Sequence, residues 1–338
     1  MADTAGDIRF GYKASAEQFG PRELLGFAVR AERHGFDSVF LSDHFQPWRH
    51  DGGHAPAALP WLGALVASTE RVVAGTSVLT PSFRYHPAMV AQAFATLGCL
   101  APGRVILGVG TGESLNEVPL GVEWPEQKER FARLKESVTL IRQLWTEDRV
   151  TFDGTYFRTD RATVYDKPAQ PVPLYIAGAG PAASRLAGRL ADGFICTSGK
   201  GRGLYEDTLL PAVREGTEKA GRDTADLDLM IEVKVSFDPD LERARADTHY
   251  WGALALTPEE KTGVEDPVEM QRRADALPVD RTVTRWIVSS DPEEHVAKVA
   301  EYLDMGFKHL VFHAPGPDQE RFLRLYAAEI LPRLRNRA

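Results

Sequence analysis

Val39-Phe40-Leu41-Ser42-Asp43-His44-Phe45-Gln46-Pro47-Trp48-Arg49-His50, closed by Gly52-Gly53-His54-Ala55-Pro56, is an apolar run that stops abruptly at an acid, a histidine and an aromatic residue. Such a run reads as a buried strand that hands chemically active side chains to a loop at its carboxyl end. Seven further runs of this kind, at 8–13, 72–79, 105–109, 174–177, 193–197, 229–237 and 309–313, join the one at 38–42. Most are rich in Val, Ile, Leu and Phe without strict alternation, as expected when both faces of a parallel strand are covered.

Helical patterns separate these runs. Pro21 stands at the favoured first helical position and His34-Gly35 supplies a glycine stop. In 127–145, Phe131, Leu134, Val138, Ile141, Leu144 and Trp145 recur at three-to-four spacing, which makes one apolar stripe for a sheet to cover. Eight strands alternating with helices predict an α/β fold, a (β/α)8 TIM barrel, in preference to an open sheet. The whole of 1–338 is expected to form one such domain with two insertions at the C-terminal face. The first, about 150–172, carries Asp153-Gly154 between alternating apolar residues and predicts a hairpin. The second, about 238–291, is punctuated by Pro258, Pro267 and Pro278 and is expected to cover the barrel mouth.

Composition narrows the function. With 338 residues and a formal charge of -8, neither half carries a basic run suited to nucleic acid or an anionic membrane surface. Cys99 and Cys196 lie far apart in apolar segments without C-x-x-C spacing, and both are expected to be buried, reduced thiols. Residues 1–9 are polar and acidic, with no apolar core of a signal peptide, and no apolar run approaches ~18 residues. A cytoplasmic protein is expected.

In a barrel, polar residues just past the strand ends converge on one mouth. Those residues are Ser15 and Glu17, then Asp43, His44 and Trp48, then Ser77 and Thr80, then Thr111, Glu113 and Asn116, then 178–181, then Thr197, Ser198 and Lys200. A histidine paired across the mouth with Glu113 is an acid/base set. His50, Asp51 and His54 match no metal-ligand spacing, and no metal is expected. Gly108-Val109-Gly110-Thr111-Gly112-Glu113 departs from the dinucleotide fingerprint, because Glu113 falls where its last glycine belongs. Gly178-Ala179-Gly180-Pro181-Ala182-Ala183 fits a G-x-G-x-x-A form, but the ribose-binding acid some 20 residues on is not evident. What remains is a helix start near Pro181 whose amides suit a phosphate group. Lys200, Lys261 and Arg285 would make a phosphate clamp if the fold brings them together.

Several long motifs carry a resemblance. Tyr12-Lys13-Ala14-Ser15-Ala16-Glu17-Gln18-Phe19, 42–50, Gly75-Thr76-Ser77-Val78-Leu79-Thr80-Pro81, 108–113, Asn116-Glu117 and Thr197-Ser198-Gly199-Lys200-Gly201 resemble the F420-dependent glucose-6-phosphate dehydrogenase family of the luciferase-like (β/α)8 superfamily, over essentially the whole chain. The resemblance implies a homodimer that binds the deazaflavin coenzyme F420 at the mouth and oxidises a sugar 6-phosphate at C1. Carried over by position, Asp43, Thr80, Thr111, Gly112, Asn116 and the loop with Ala179, Gly180, Ala182 and Ala183 hold the cofactor, and Ser77-Val78 matches the family's non-proline cis peptide. Thr197, Lys200, Lys261 and Arg285 match its sugar-phosphate contacts. His44 and Glu113 match its proton-transfer pair, with Trp48 and Glu17 beside them. Ala179 is a departure, since adjacent glycines are expected there. The alternatives are another luciferase-like F420- or FMN-dependent oxidoreductase with a different substrate, a non-catalytic cofactor carrier, and a phosphosugar isomerase.

Overall fold

The computed structural model describes residues 8–337; most of the leader reading at 1–9 lies outside the described residues. Eight strands form the barrel: β1 (Arg9–Ala14), β2 (Ser38–Leu41), β3 (Val73–Thr76), β4 (Val105–Val109), β5 (Leu174–Ala177), β6 (Gly193–Thr197), β7 (Asp228–Phe237) and β8 (His309–His313). Each pairs in parallel with the next, and Arg9 opposite His309 joins β8 back to β1, so the sheet closes without an edge. This is the (β/α)8 barrel that the alternating runs predict.

The boundaries differ where local chemistry intervenes. β3 stops at Thr76 instead of running to Leu79, and the Ser77–Val78 peptide that follows is cis, as the resemblance implies. Leu79 then rejoins it through a single bridge to Val109, with its N–H donating to the Gly108 carbonyl at 2.9 Å. β7, ten residues long, outruns both neighbours. Its spare end is paired by an unexpected ninth strand, Ile287–Ser289, which hides backbone groups otherwise left exposed at an edge.

The first insertion is the antiparallel hairpin Val150–Asp153 with Arg158–Ala162. The Glu136 carboxylate, on helix Gln127–Thr146, accepts the N–H groups of Thr155, Tyr156 and Phe157 at 3.0, 2.8 and 2.7 Å and pins the hairpin to that helix. In the second insertion Pro258 and Pro267 open the short helices Pro258–Lys261 and Pro267–Asp275, and Thr257 with Glu260 forms a capping box on the former. Among the described residues no helix is long and apolar enough to cross a membrane.

Side chains facing the barrel axis fall into three levels. Arg9, Tyr175 and His309 meet the Asp228 carboxylate at the bottom, with Tyr175 Oη at 2.5 Å and His309 Nδ1 at 3.0 Å, while His309 Nε2 lies 2.7 Å from Ser38 Oγ. Above them Phe40, Ile106, Ile195, Met230 and Val311 fill an apolar layer. Gly75 makes room there, since a Cβ at that position would stand 2.5 Å from the Phe40 ring. The top level is polar: Lys13, Glu232, Lys234 and His313. Cys196 is buried as expected, but Cys99 is exposed, because it lies in the last turn of helix Pro87–Leu100 beyond the stripe that packs on the sheet.

Candidate active site

A cavity of about 470 Å³ opens at the carboxyl ends of the barrel strands. His44, from the β2 loop, lines it. Its Nε2 is 3.3 Å from Glu17 Oε1 and 3.7 Å from Glu113 Oε2, so two carboxylates from different strands address one nitrogen. Glu17 is buried and its second oxygen has no partner, whereas Glu113 is half exposed. The other face of the imidazole is fixed by the backbone, with Nδ1 3.1 Å from the Gln46 carbonyl. Asn116 holds that loop in shape by accepting from the Phe45 and Gln46 amides at 2.8 and 3.2 Å. Trp48 packs tilted against His44, with ring centroids 5.9 Å apart.

Asp43 lines the cavity and is also an anchor. Its carboxylate accepts from Arg84 at 2.6 Å, from the Ala58 amide at 3.2 Å and from Tyr85 Oη at 3.4 Å. Arg84 also pairs with Glu117, whose carboxyl burial pushes up. Ser77, Val78, Thr80, Thr111, Gly112 and Asn116 line the same cavity. Gly112 has φ +85°, which glycine adopts freely, and a Cβ there would come within 3.0 Å of Thr80. Ala179 is at the cavity wall, but Gly180, Ala182 and Ala183 are not. They form the cap and first turn of helix Pro181–Leu190, where helix geometry leaves the amides of the first turn without intrahelical acceptors.

The fold does bring the cations together. Thr197, Lys200, Lys261 and Arg285 all face the cavity that holds His44. Burial pushes the Lys261 ammonium down to about 8, against the opposing pull of Glu113, and Arg285, Lys234 and Lys200 push it the same way as burial. Burial and Arg285 lower Lys200 likewise. Arg285 is held by the Gly199 carbonyl and, at 3.4 Å, that of Ser198. Of the remaining strand-end residues, Ser15 and Ser198 are buried outside the cavity lining. Among the described residues no group of three or more His, Cys, Asp or Glu could hold a metal ion.

Among the charged residues and histidines that line the cavity, Lys13, Glu232, Lys234 and His313 escaped the sequence reading. Lys13 Nζ donates to Ser42 Oγ, Ser77 O and Ser77 Oγ at 2.7–2.8 Å and pairs with Glu232 at 2.9 Å. Glu232 also pairs with Lys234 at 3.2 Å. A signal existed in Glu232-Val233-Lys234-Val235-Ser236, where polar residues alternate inside a buried strand and so must share its axial face.

The model of the luciferase-like monooxygenase family matches residues 7–309. A protein named F420-dependent glucose-6-phosphate dehydrogenase from Nakamurella multipartita is 71% identical over 328 residues, 97% of each chain. One of the same name from Beutenbergia cavernae is 68% identical over 98% of each. Among solved structures, an F420-dependent secondary alcohol dehydrogenase in complex with an F420-acetone adduct superposes with TM-score 0.92 at 35% identity, covering 97% of this chain and 99% of its own. The chain belongs to the luciferase-like family and, within it, to the F420-dependent glucose-6-phosphate dehydrogenases.

Proposed function

We propose that this protein oxidises glucose 6-phosphate at C1 to 6-phosphogluconolactone, with hydride passing to C5 of coenzyme F420. The observation that carries the reading is that the proton-handling group at His44 and the cations Lys200, Lys261 and Arg285 share one cavity. A phosphorylated polyol needs both at once: a fixed anion site and, some distance from it, a base for the hydroxyl that becomes a carbonyl.

The residues present fit F420. Val78, Ala177 and Ile195 give an apolar wall, and Gly110 and Gly112 keep the β4 loop free of side chains, since a Cβ at Gly110 would stand 2.8 Å from Val78. Asp43, Ser77, Val78, Thr80, Thr111, Gly112, Asn116 and Ala179 would hold it, with the first-turn amides at Ala182 and Ala183 available to a phosphate group. When bound, the deazaflavin supplies the carbon that accepts the hydride.

The chain's own residues do the remaining work. Lys200 and Lys261 act as point charges on the phosphate, and Arg285 presents a planar donor pair. His44 takes the C1 hydroxyl proton at Nε2, the nitrogen that Glu17 and Glu113 both address. In this reading Glu113, 3.7 Å from the same nitrogen, supplies the proton taken up when the cofactor is reduced, and Trp48 excludes water from this end. In the same reading, 1–338 acts as one domain, in a cytoplasmic homodimer, in a step of carbohydrate metabolism. The test is loss of oxidised F420 absorbance on adding glucose 6-phosphate. Turnover that prefers glucose 6-phosphate to unphosphorylated glucose supports the reading. Turnover only with simple secondary alcohols, or none, overturns it.

A further inference from the structure

We propose that His313, beside Glu232 on the cavity floor, hydrogen-bonds a ring hydroxyl of the sugar and thereby sets which sugar phosphates are accepted. The inference rests on the dehydrogenase reading and deepens it.

His313 lines the cavity and is 3% exposed, yet neither ring nitrogen has a hydrogen-bond partner. Its Nδ1 lies 3.6 Å from Glu232 Oε1, beyond hydrogen-bond reach. Trp251 and Trp286 cage the ring edge-on, at centroid distances of 4.5 and 5.1 Å. Were the ring only a filler, phenylalanine would occupy that cage without leaving two polar atoms desolvated, which is unfavourable. Burial lowers the His313 pKa against the pull of Glu232, so the ring is neutral near pH 7 and offers one donor and one acceptor.

The neighbours complete a site for a hydroxyl group. Burial opposes charge on Glu232, but Lys13 and Lys234 outweigh it and hold its carboxyl well below the usual range, so it stays an acceptor. Lys234 is buried and gives one hydrogen to Glu232, which leaves donors on an ammonium of three. A sugar hydroxyl donates once and accepts, and so matches a floor that offers both functions. The floor also adjoins the anion end, because Lys234 lies within electrostatic reach of Arg285 and Lys261. A ligand held by its phosphate there lays its ring over His313.

The experiment measures kcat/KM for F420 reduction with glucose 6-phosphate and with its 2-, 3- and 4-deoxy analogues, in the wild type and in His313→Phe. The wild type is expected to discriminate against at least one analogue by about tenfold or more. His313→Phe is expected to lose a similar factor with glucose 6-phosphate, to use that one analogue as the wild type does, and to keep its F420 affinity. An equal loss with all four sugars, or none, overturns the inference. If His313→Phe does not fold, His313→Gln replaces it and should change the order of preference among the analogues; an unchanged order overturns the inference. Wild-type indifference to every deoxy position overturns it without any variant. Failure of the wild type to reduce F420 with any sugar phosphate is a distinct result, which removes the dehydrogenase reading and this inference with it.

Discussion

The ammonium of Lys261 stands 5.1 Å from the centroid of the Trp48 ring. Lys261 comes from the long insertion and Trp48 from the β2 loop, so this contact joins the cation end of the cavity to the proton end. Lys261→Ala and Arg285→Ala are therefore expected to raise KM for glucose 6-phosphate about tenfold or more while sparing F420 affinity. Steady-state kinetics with an F420 titration checks this; unchanged KM in both variants would remove the clamp.

The same lysine gives a pH dependence. Lys261 is held at about 8, so it is charged below that pH and neutral above it. Between about pH 7 and 8, where the phosphate monoester is a dianion, phosphate affinity should be full, and it should weaken as pH rises through about 8. A KM profile across that range tests the sign, and Lys261→Arg, which stays charged, should flatten the alkaline rise.

His44 has two carboxylates on one nitrogen, and the nearer is the buried Glu17. His44→Ala or Glu113→Gln should lower kcat by about a hundredfold or more, the scale of a lost acid/base partner. Glu17→Gln should lower kcat too, by removing the carboxylate that stabilises the proton once Nε2 has taken it. Near wild-type turnover in all three, with intact circular dichroism, would place the protons elsewhere.

The bottom of the barrel sets acid stability. Burial pushes the Asp228 carboxyl up, but His309, Arg9 and Tyr175 outweigh it and hold it at about 2. A carboxyl lowered on folding adds stability that is complete above its unfolded pKa and lost as pH falls through the folded one; for Asp228 this amounts to about 2 kcal/mol. Burial also holds His309 below its usual value, so its share is full above about pH 6.5 and declines below it. Urea unfolding should show this fall, and Asp228→Asn should be less stable near neutrality and flatter between about pH 4 and 2. Parallel curves would contradict the assignment.

At the opposite level, Lys13 holds Glu232, Ser42 and Ser77 together. Lys13→Met leaves a buried carboxylate with one cation fewer and should destabilise the fold by about 3–5 kcal/mol. Lys13→Met with Glu232→Gln should recover part of that loss in urea unfolding, and no recovery would show that the pair is not the cause.

Much of this was legible in the sequence because burial leaves a strong mark. The apolar runs gave the eight strands, and the chain's abrupt polarity changes after Leu41 and Val109 marked His44 and Glu113. The end of β3 was not legible, because Ser77-Val78-Leu79 continues the apolar run while the chain rejoins the sheet only through the Leu79 bridge to Val109. The extra strand at Ile287–Ser289 was hidden for another reason: it exists only because β7 outruns its neighbours, which is a property of the assembled sheet. Lys13 and His313 were missed since single polar residues in apolar runs look like strand ends until the level they occupy along the barrel axis is known.

The central claim is that one cavity places the phosphate on Lys200, Lys261 and Arg285 while C1 reaches His44. A crystal structure of the protein with F420 and glucose 6-phosphate tests it most directly. The account predicts phosphate density against those three cations and the C1 oxygen within hydrogen-bond distance of His44 Nε2. Phosphate bound outside that cluster, or C1 turned away from His44, would contradict it.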